Sequence, residues 1–491
     1  MKIIRQASAL QTYLSTNASK LRASKTLIVA SAPPPPPDDN NLTPQKTDQK
    51  LKKFHSSFEQ HIGQCHFFTG MQHNLQTVSY GYNGHGNKDN YTLAGAYPTP
   101  QNVDATVALM KRAGAIHVMG VGSGAAMDLA KAAYYRIMDN SESSNNEGGD
   151  DDDAGAGQLI LNPSTLGATV ASVTRGGLVM DPDEEALLPL PLPLGNYSNS
   201  NSNVTVLIDD KAMCIPSWIY TSCNSSIGAA RNQRGTSATI VESALASLVM
   251  ALDAAYSYGE MDHENDNDVG GGGGGGGDYN KDHYRFRALL QESISGSLSC
   301  LNAFQSISNN SDLQIQEAIQ SGRQHAIQAM ISSGQLLSYG ALNGNANANA
   351  DTDGRRRNIA LAFTSALLPE YFPHGNWCTF TASLLPGLCH AIDTEDSSMV
   401  EDNSMLQHAL SMLHAESGSA PTSAFEWANN LNVGQNDSVA SIHVPSLASL
   451  AEGAPDPNDM IQKVEDNGAF VNCLDADTSY LETIFMTSLN R

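Results

Sequence analysis

Residues 115–131 read AIHVMGVGSGAAMDLAK, and this stretch decides the fold. A short apolar run over 116–119 ends in glycines at 120, 122 and 124, and a helical pattern follows at once. Glycines let backbone amides approach an anion, and the first turn of a helix points its positive end at that anion. A strand, a glycine turn and a helix in this order predict a phosphate-binding loop. The alternative is a turn that only packs a helix on a sheet.

The elements around this loop predict two domains. Thr99 is the expected N-cap, and Pro100 the first turn, of a helix that Gly114 ends. Strands alternating with helices favour an open α/β sheet, with strands at 26–30, 115–119, 159–161, 178–180 and 204–208 and the loop helix at 124–138. Helical patterns then cover 237–257, 285–305, 313–338, 359–368, 377–392 and 403–415. We predict a Rossmann-like nucleotide-binding α/β domain over 1–211, an all-α domain over 212–491, and a ligand site in the cleft between them.

Several low-complexity tracts interrupt this pattern. They cover 33–37, 140–157, 196–203, 260–282 and 343–357, and the fourth contains eight consecutive glycines. Such tracts lack the apolar residues needed to bury a surface, so we predict disordered inserts that the fold does not need.

Charge and cysteine content limit the partners and the compartment. The 491 residues carry a formal net charge of -24, which argues against nucleic acid or an anionic membrane as partner. No uninterrupted apolar run is as long as the roughly 18 residues that span a bilayer. The seven cysteines form no CxxC pair, which favours a reducing compartment, and we expect a cytoplasmic protein. The first 37 residues lack Asp and Glu, as transit peptides do, but an ordinary first helix and strand is our preferred interpretation.

The glycine loop resembles the pyridine-nucleotide loop of the iron-dependent alcohol dehydrogenase superfamily, which includes glycerol dehydrogenases and maleylacetate reductases. The matching residues are Gly120, Gly122, Ser123, Gly124, Asp128, Lys131 and Ala132. A second segment, 163–169, resembles the family's Pro-Thr-Thr segment, and Pro-His-Gly at 373–375 followed by Leu385-Pro386 resembles a third. The resemblance implies a dehydroquinate synthase-like architecture and a homodimer. It also implies NAD or NADP as cofactor, bound by the glycine loop with Asp128 and Lys131, and by Ser164 and Thr165.

The family's metal site is the main departure. The resemblance implies one Asp and three His around iron or zinc, but the aligned positions hold Ala246, Met250, Ala360 and His374. A second alignment of the helix gives Ser243 and Ser247, and the family's additional active-site His falls on Thr364. One imidazole cannot hold a metal, because even open catalytic zinc sites use three protein ligands. We therefore predict no metal, although Glu370, His374 and His390 form a conceivable alternative group.

Two functions remain open at this point. The first is an NAD(P)-dependent oxidoreductase that transfers hydride between nicotinamide and a small alcohol, carbonyl compound or keto acid without a metal. Its catalytic residue is then His374, acting as general acid in place of the metal. The second is a catalytically inactive nucleotide-binding protein with a sensing or scaffolding role. An acidic residue soon after the first strand would select NAD, but Asp38 and Asp39 follow only after the prolines.

Overall fold

The structure is a computed structural model, and it divides the chain into two compact units. The described residues are 1–30, 58, 65–68, 97–142, 157–174, 177–181, 186–190, 203–210, 226–266, 276–305, 312–342, 359–371, 377–394, 403–416, 423–431, 442, 444–450, 456–468 and 478–490. Unit 1 comprises Met1–Glu184 and Pro189–Gly228, and unit 2 comprises Glu185–Leu188 and Ala229–Arg491. The main boundary between the units thus lies after Gly228. The sequence analysis predicted this boundary after residue 211. His374 and the tract 343–357 lie outside the described residues.

Among the described residues, those before 211 supply eight strands and the five helices named below. The strands are β1 (Lys2–Arg5), β2 (Lys25–Ala30), β3 (Cys65–Phe68), β4 (Ala115–Gly122), β5 (Leu159–Pro163), β6 (Gly177–Asp181), β7 (Ala186–Leu190) and β8 (Val204–Ile208). The helices are α1 (Ala9–Thr16), α2 (Ala18–Ala23), α3 (Pro100–Ala113), α4 (Gly124–Glu142) and α5 (Leu166–Val173).

Six of these strands form one parallel sheet in the order β1-β8-β5-β4-β2-β3. From β2 the chain moves outward to β3, returns to the other side of β2 as β4, and continues to β5 and β8. The direction of winding therefore reverses between β2 and β4. Open parallel sheets bind their ligands at the carboxyl ends of the strands where this reversal occurs. The glycine loop follows β4 and so lies at this point.

The sheet residues explain why this order is stable. Residues 27–29 of β2 and 159–161 of β5 are all buried apolar side chains. Continuous apolar strands of this kind are typical of a parallel sheet covered on both faces. On one face Tyr13 and Leu21 from the first two helices pack against a cluster that includes Met119.

The helix before the loop begins and ends as the sequence predicts. Thr99 Oγ1 accepts a hydrogen bond from the Asn102 amide at 3.3 Å, and the Asn102 side chain accepts one from the Thr99 amide at 2.9 Å. This reciprocal capping box satisfies two amides that the first turn leaves without helical partners. Gly114 ends the helix in the left-handed conformation, with φ of 62°.

Unit 2 is helical. Its helices are α6 (Ser226–Asp266, which begins just before the unit), α7 (Gly276–Gln305), α8 (Asp312–Leu342), α9 (Ile359–Tyr371), α10 (Trp377–Ser383), α11 (Leu385–Thr394), α12 (Ser404–Glu416), α13 (Ala424–Asn430), α14 (Leu447–Leu450), α15 (Pro457–Gly468) and α16 (Thr478–Leu489). The segment Ser237–Tyr258 of α6 is long and apolar enough to cross a membrane, but most of it is buried inside the protein. It is therefore a buried core helix of a folded unit.

Some sequence predictions need correction. The predicted insert 260–282 is wrong at both edges, because α6 continues to Asp266 and α7 begins at Gly276. The predicted insert at 140 likewise begins too early, since α4 runs to Glu142. The predicted helix 377–392 is divided into α10 and α11. Three strands, β1, β3 and β7, are not among those predicted.

Candidate functional site

Gly120 brings α4 against the sheet. A Cβ atom at this position would lie 2.9 Å from the Cβ of Ala130 and 3.0 Å from the carbonyl oxygen of Ala126, both on α4. It would also lie 3.1 Å from a methyl group of Leu161 on the neighbouring strand. The glycine therefore lets the helix pack directly on the strand that precedes it.

Gly122 makes the turn and joins two loops. Its φ is 123°, in the region that side chains disfavour. Its carbonyl oxygen accepts a hydrogen bond from the Ser164 amide at 2.8 Å. The parallel register places Gly122 opposite Pro163, so the loops that follow β4 and β5 lie side by side.

The open part of the loop consists of Ser123 and Gly124. Both are half-buried, and Gly124 is the first residue of α4. The Ser123 carbonyl oxygen accepts from the amides of Ala126 and Met127 at 3.1 and 3.2 Å, which closes the first helical turn. A Cβ atom at Gly124 would make only ordinary contact, 3.6 Å from the Cβ of Ala171. This end of α4 carries the positive end of the helix dipole.

The second loop presents two hydroxyl groups beside the first. Ser164 and Thr165 are half-buried, and Thr165 is the N-cap of α5. Its Oγ1 accepts from the Ala168 amide at 3.3 Å. Six of the eight predicted cofactor residues thus lie together at the carboxyl ends of β4 and β5.

The other two, Asp128 and Lys131, are buried. Lys131 Nζ lies 3.3 Å from Asp128 Oδ1 and donates to the carbonyl and hydroxyl oxygens of Thr174 at 3.2 Å each. The Leu178 amide donates to the Asp128 carboxylate. Burial raises the pKa of Asp128 to about 6, while the Lys131 charge opposes that shift. The geometry gives the pair a positioning role, since it fixes α4 to Thr174 and Leu178. Its contact with a nucleotide stays a prediction.

The positions that align with the family's metal ligands are apolar. Ala246, Met250 and Ala360 are at most 4% exposed and carry no donor suited to iron or zinc. In the other alignment, Ser243 and Ser247 each donate to a carbonyl oxygen one turn earlier on α6.

The remaining metal candidates do not change this assessment. Thr364 donates to the Ala360 carbonyl oxygen at 2.7 Å. The His390 ring packs against Phe425 with centroids 4.8 Å apart. The described part of the chain contains no group of three His, Cys, Asp or Glu residues placed to hold a metal. His374 and the side chain of Glu370 lie outside it.

Two carboxylates of α6 are polar features that the sequence analysis missed. Glu242 Oε2 accepts from Thr379 Oγ1 at 2.6 Å, and burial raises the pKa of Glu242. Asp253 Oδ2 accepts from the Ala360 amide at 2.9 Å, and burial raises the pKa of Asp253 to about 7. The only sequence signal was their helical spacing from Ala246, at four residues before and seven after it.

Known structures share this architecture across the whole chain. An archaeal halo-thermophilic alcohol dehydrogenase from a Red Sea brine pool aligns with a TM-score of 0.54 and 15% identity over 99% of this chain and 97% of that one. An iron-containing alcohol dehydrogenase from Thermotoga maritima gives 0.52 and 13% over 100% and 98%. A maleylacetate reductase from Agrobacterium tumefaciens gives 0.51 and 12% over 100% and 96%. No protein-family model and no curated protein matches the sequence. The chain therefore has the two-domain fold of these proteins, with a parallel α/β part and a helical part.

Proposed function

We propose that this protein is an NAD(P)-dependent oxidoreductase that interconverts a small alcohol and the corresponding carbonyl compound or keto acid. The observation that carries the proposal is the position of the glycine loop at the winding reversal of a parallel sheet. That position is where such sheets bind nucleotides, and the fold is shared with dehydrogenases. The neighbouring loop after β5 adds two hydroxyl groups to the same edge.

The residues of these loops fit a dinucleotide. Gly122 and Gly124 present backbone without side chains, and the positive end of α4 favours a pyrophosphate at Ser123 and Gly124. Ser164 and Thr165 offer hydroxyl groups for hydrogen bonds to the phosphates or the carboxamide. When bound, NAD(P)H supplies the hydride. The chain's own role is to hold and orient the nucleotide and to provide a proton for the carbonyl oxygen.

A metal does not fit the described residues at the family's ligand positions. Ala246 and Ala360 have methyl groups, and the thioether of Met250 is a soft ligand poorly suited to ferrous iron or zinc. The proposed reaction therefore uses a side chain, and not a metal, to stabilise the developing alkoxide. The sequence nominates His374 as that general acid.

Calorimetric titration with NADH and with NADPH tests the proposal. We expect one nucleotide per chain for at least one of the two, followed by turnover in a screen of small aldehydes, ketones and keto acids. Failure of both nucleotides to bind a folded protein would rule out the function.

A second function is favoured by the apolar residues at the ligand positions. A chain that has lost these ligands can keep nucleotide binding and lose chemistry, and would then act in sensing or scaffolding. Tight nucleotide binding with no turnover of any carbonyl compound would select this alternative.

A further inference from the structure

We propose that Thr26, His117 and Gln158 form a buried site that binds one ordered water molecule. The site lies in unit 1, at the amino-terminal ends of β2, β4 and β5. It is therefore at the opposite end of these strands from the glycine loop, and its role is independent of the proposed oxidoreductase activity.

The three side chains form one polar row across the sheet. In the parallel register Thr26 lies opposite His117, and the residues after His117 and Gln158 lie opposite each other, which places Gln158 beside His117. Each of the three stands two residues before a member of the buried apolar row Ile28, Met119 and Ile160. Because side chains alternate between the two faces of a sheet, residues two apart share a face. The polar row therefore lies on the face that α1 and α2 cover.

Each residue of the polar row has a buried polar atom that the protein does not satisfy. These atoms are Thr26 Oγ1, His117 Nε2 and Gln158 Oε1, and none has a hydrogen-bond partner among the described residues. Thr26 is fully buried, and His117 is 1% exposed. Native proteins provide partners for nearly all buried polar atoms, because an unsatisfied one is costly. Three such atoms on neighbouring strands indicate a ligand that can make several hydrogen bonds.

The imidazole of His117 limits the class of ligand. Its Nδ1 accepts a hydrogen bond from the Gln158 backbone amide at 3.0 Å, so Nδ1 carries no hydrogen. Burial lowers the pKa of His117, and the positive charge of Lys20 on α2 lowers it further, which favours the neutral ring. A neutral imidazole that accepts at Nδ1 has its hydrogen on Nε2. The ring therefore offers a donor to the site, and a cation cannot bind at Nε2.

A water molecule matches all three atoms. It can accept from His117 Nε2 and donate to Gln158 Oε1, while the Thr26 hydroxyl can serve as donor or acceptor. Buried waters typically make about three hydrogen bonds to groups that lack protein partners. The polar row contains no charged side chain, which favours a neutral ligand over an anion. The water would connect three strands at one end of the sheet.

A pair of substitutions tests whether one ligand joins the polar row. Thr26→Val and Gln158→Met remove the two outer polar groups and nearly keep the size of each side chain. The two positions are two strands apart, about 9–10 Å, and substitutions at such a distance usually have additive effects on stability. A shared water molecule would break this additivity, because the first substitution already removes or weakens its site.

The control combines Thr26→Val with Thr205→Val. Thr205 is a buried threonine of β8 on the same face, and its side chain is hydrogen-bonded to Tyr13, so it has a partner within the protein. Thermal melting of the full-length chain measures every variant. Thr26→Val and Gln158→Met should each lower Tm by about 2–4 °C or more, because the remaining atoms of the polar row stay buried. Together they should lower Tm by clearly less than the sum, whereas the two effects in the control should add.

A high-resolution crystal structure of the full-length wild-type protein tests the site directly, even if a variant does not fold. We expect one water molecule within about 2.7–3.2 Å of His117 Nε2 and of the two oxygen atoms. Polar atoms that bond one another directly, or strictly additive effects of Thr26→Val and Gln158→Met, would overturn the shared site. Anomalous signal at this position after a bromide soak would identify an anion, and would overturn the assignment of water.

Discussion

Lys131 Nζ lies 3.3 Å from Asp128 Oδ1, one turn apart on α4, and both side chains are almost fully buried. The same ammonium group donates twice to Thr174. The pair therefore links the helix that begins at the glycine loop to the segment that follows α5. This linkage fixes the position of the loop helix.

Breaking this pair should destabilise unit 1. Lys131→Met leaves the Asp128 carboxylate buried without its counter-charge, and such changes cost about 3–5 kcal/mol. We expect that loss in the free energy of unfolding at pH 8, measured by urea denaturation, and a smaller loss at pH 5, where Asp128 takes up a proton.

An exposed pair that joins α4 to α3 provides the control. Arg136 and Asp104 approach to 2.7 Å with their side chains more than half exposed. Arg136→Met should change the unfolding free energy by about 1 kcal/mol or less. Equal effects for Lys131→Met and Arg136→Met would contradict the buried linkage.

Substitution should have different effects at the three glycines of the loop. At Gly120 a methyl group meets Ala130 and the α4 backbone, so Gly120→Ala should lower unfolding free energy by about 1–3 kcal/mol. Gly122→Val should also lower the unfolding free energy, because a φ of 123° strains any residue that has a side chain. A loss of nucleotide binding in this variant would therefore not be specific evidence for a cofactor site. Urea denaturation checks both expectations.

Gly124 gives the clean test of nucleotide binding. Gly124→Asp places a negative charge in the first turn of α4, which the helix dipole stabilises, by about 0.3–1 kcal/mol, while the same charge repels a pyrophosphate. We expect unchanged or higher thermal stability together with loss of NAD(P)H binding by calorimetry. Gly124→Asn, without the charge, should bind much better than Gly124→Asp. Full affinity in the aspartate variant would mean that the phosphates bind elsewhere.

Asp253 should make unit 2 less stable as pH rises. Its folded pKa of about 7 is above the ordinary 3.8, so the folded chain holds a proton that the unfolded chain releases. The stabilisation is complete below about pH 4 and is lost as pH rises toward 7 and above. The stability advantage of wild type over Asp253→Asn should shrink with increasing pH, on the order of 1 kcal/mol per pH unit in that window.

The control for this dependence is Asp393→Asn. Asp393 also accepts from amides at a helix start, those of Ala424 and Phe425 at 3.2 and 2.8 Å, but it is exposed. Asp393→Asn therefore measures the effect of changing a carboxylate that caps a helix but is not buried. If the difference in unfolding free energy between the wild type and Asp253→Asn stays constant from pH 4 to 8, the Asp253 carboxyl group is not held in its neutral form.

Metal content is the fifth expectation. With Ala246, Met250 and Ala360 at three ligand positions, we expect substoichiometric iron and zinc in the purified protein. A chelator should change neither the melting temperature nor any activity. Native mass spectrometry that finds about one tightly held divalent ion per chain would mean that other residues supply the ligands.

Local signals made much of unit 1 predictable. The Thr99 cap, the Gly114 stop and the strand at 204–208 each depend on residues close in sequence, and the structure confirms them. The strands β1 and β3 have only four residues each, so no periodicity shows them. The first becomes a strand only because β8, about two hundred residues later, pairs with it.

The sequence predicted those parts of the candidate site whose geometry depends on the local backbone conformation, and not those that depend on contacts between distant side chains. Gly120, Gly122 and Gly124 follow from the pattern of a strand, a turn and a helix. The burial of Asp128 and Lys131 depends on contacts with Thr174, Gly177 and Leu178, which no local pattern encodes. Glu242 and Asp253 are isolated acidic residues in a part of α6 rich in Ala and Ser, and only their bonds to Thr379 and to the Ala360 amide, more than a hundred residues away, distinguish them.

The edge strand β1 sets an order of events during synthesis. Ile4 pairs with Leu207, and Arg5 bonds Asp210 at 2.8 Å, so the amino-terminal strand waits for partners made some two hundred residues later. At translation rates of about 5–20 residues per second, that wait lasts on the order of 10–40 s. Throughout that wait β1 lacks its partner strand, and the sheet grows from the edge formed by β2 and β3 toward β1. The nascent chain is therefore most exposed to a competing strand before residue 208 emerges.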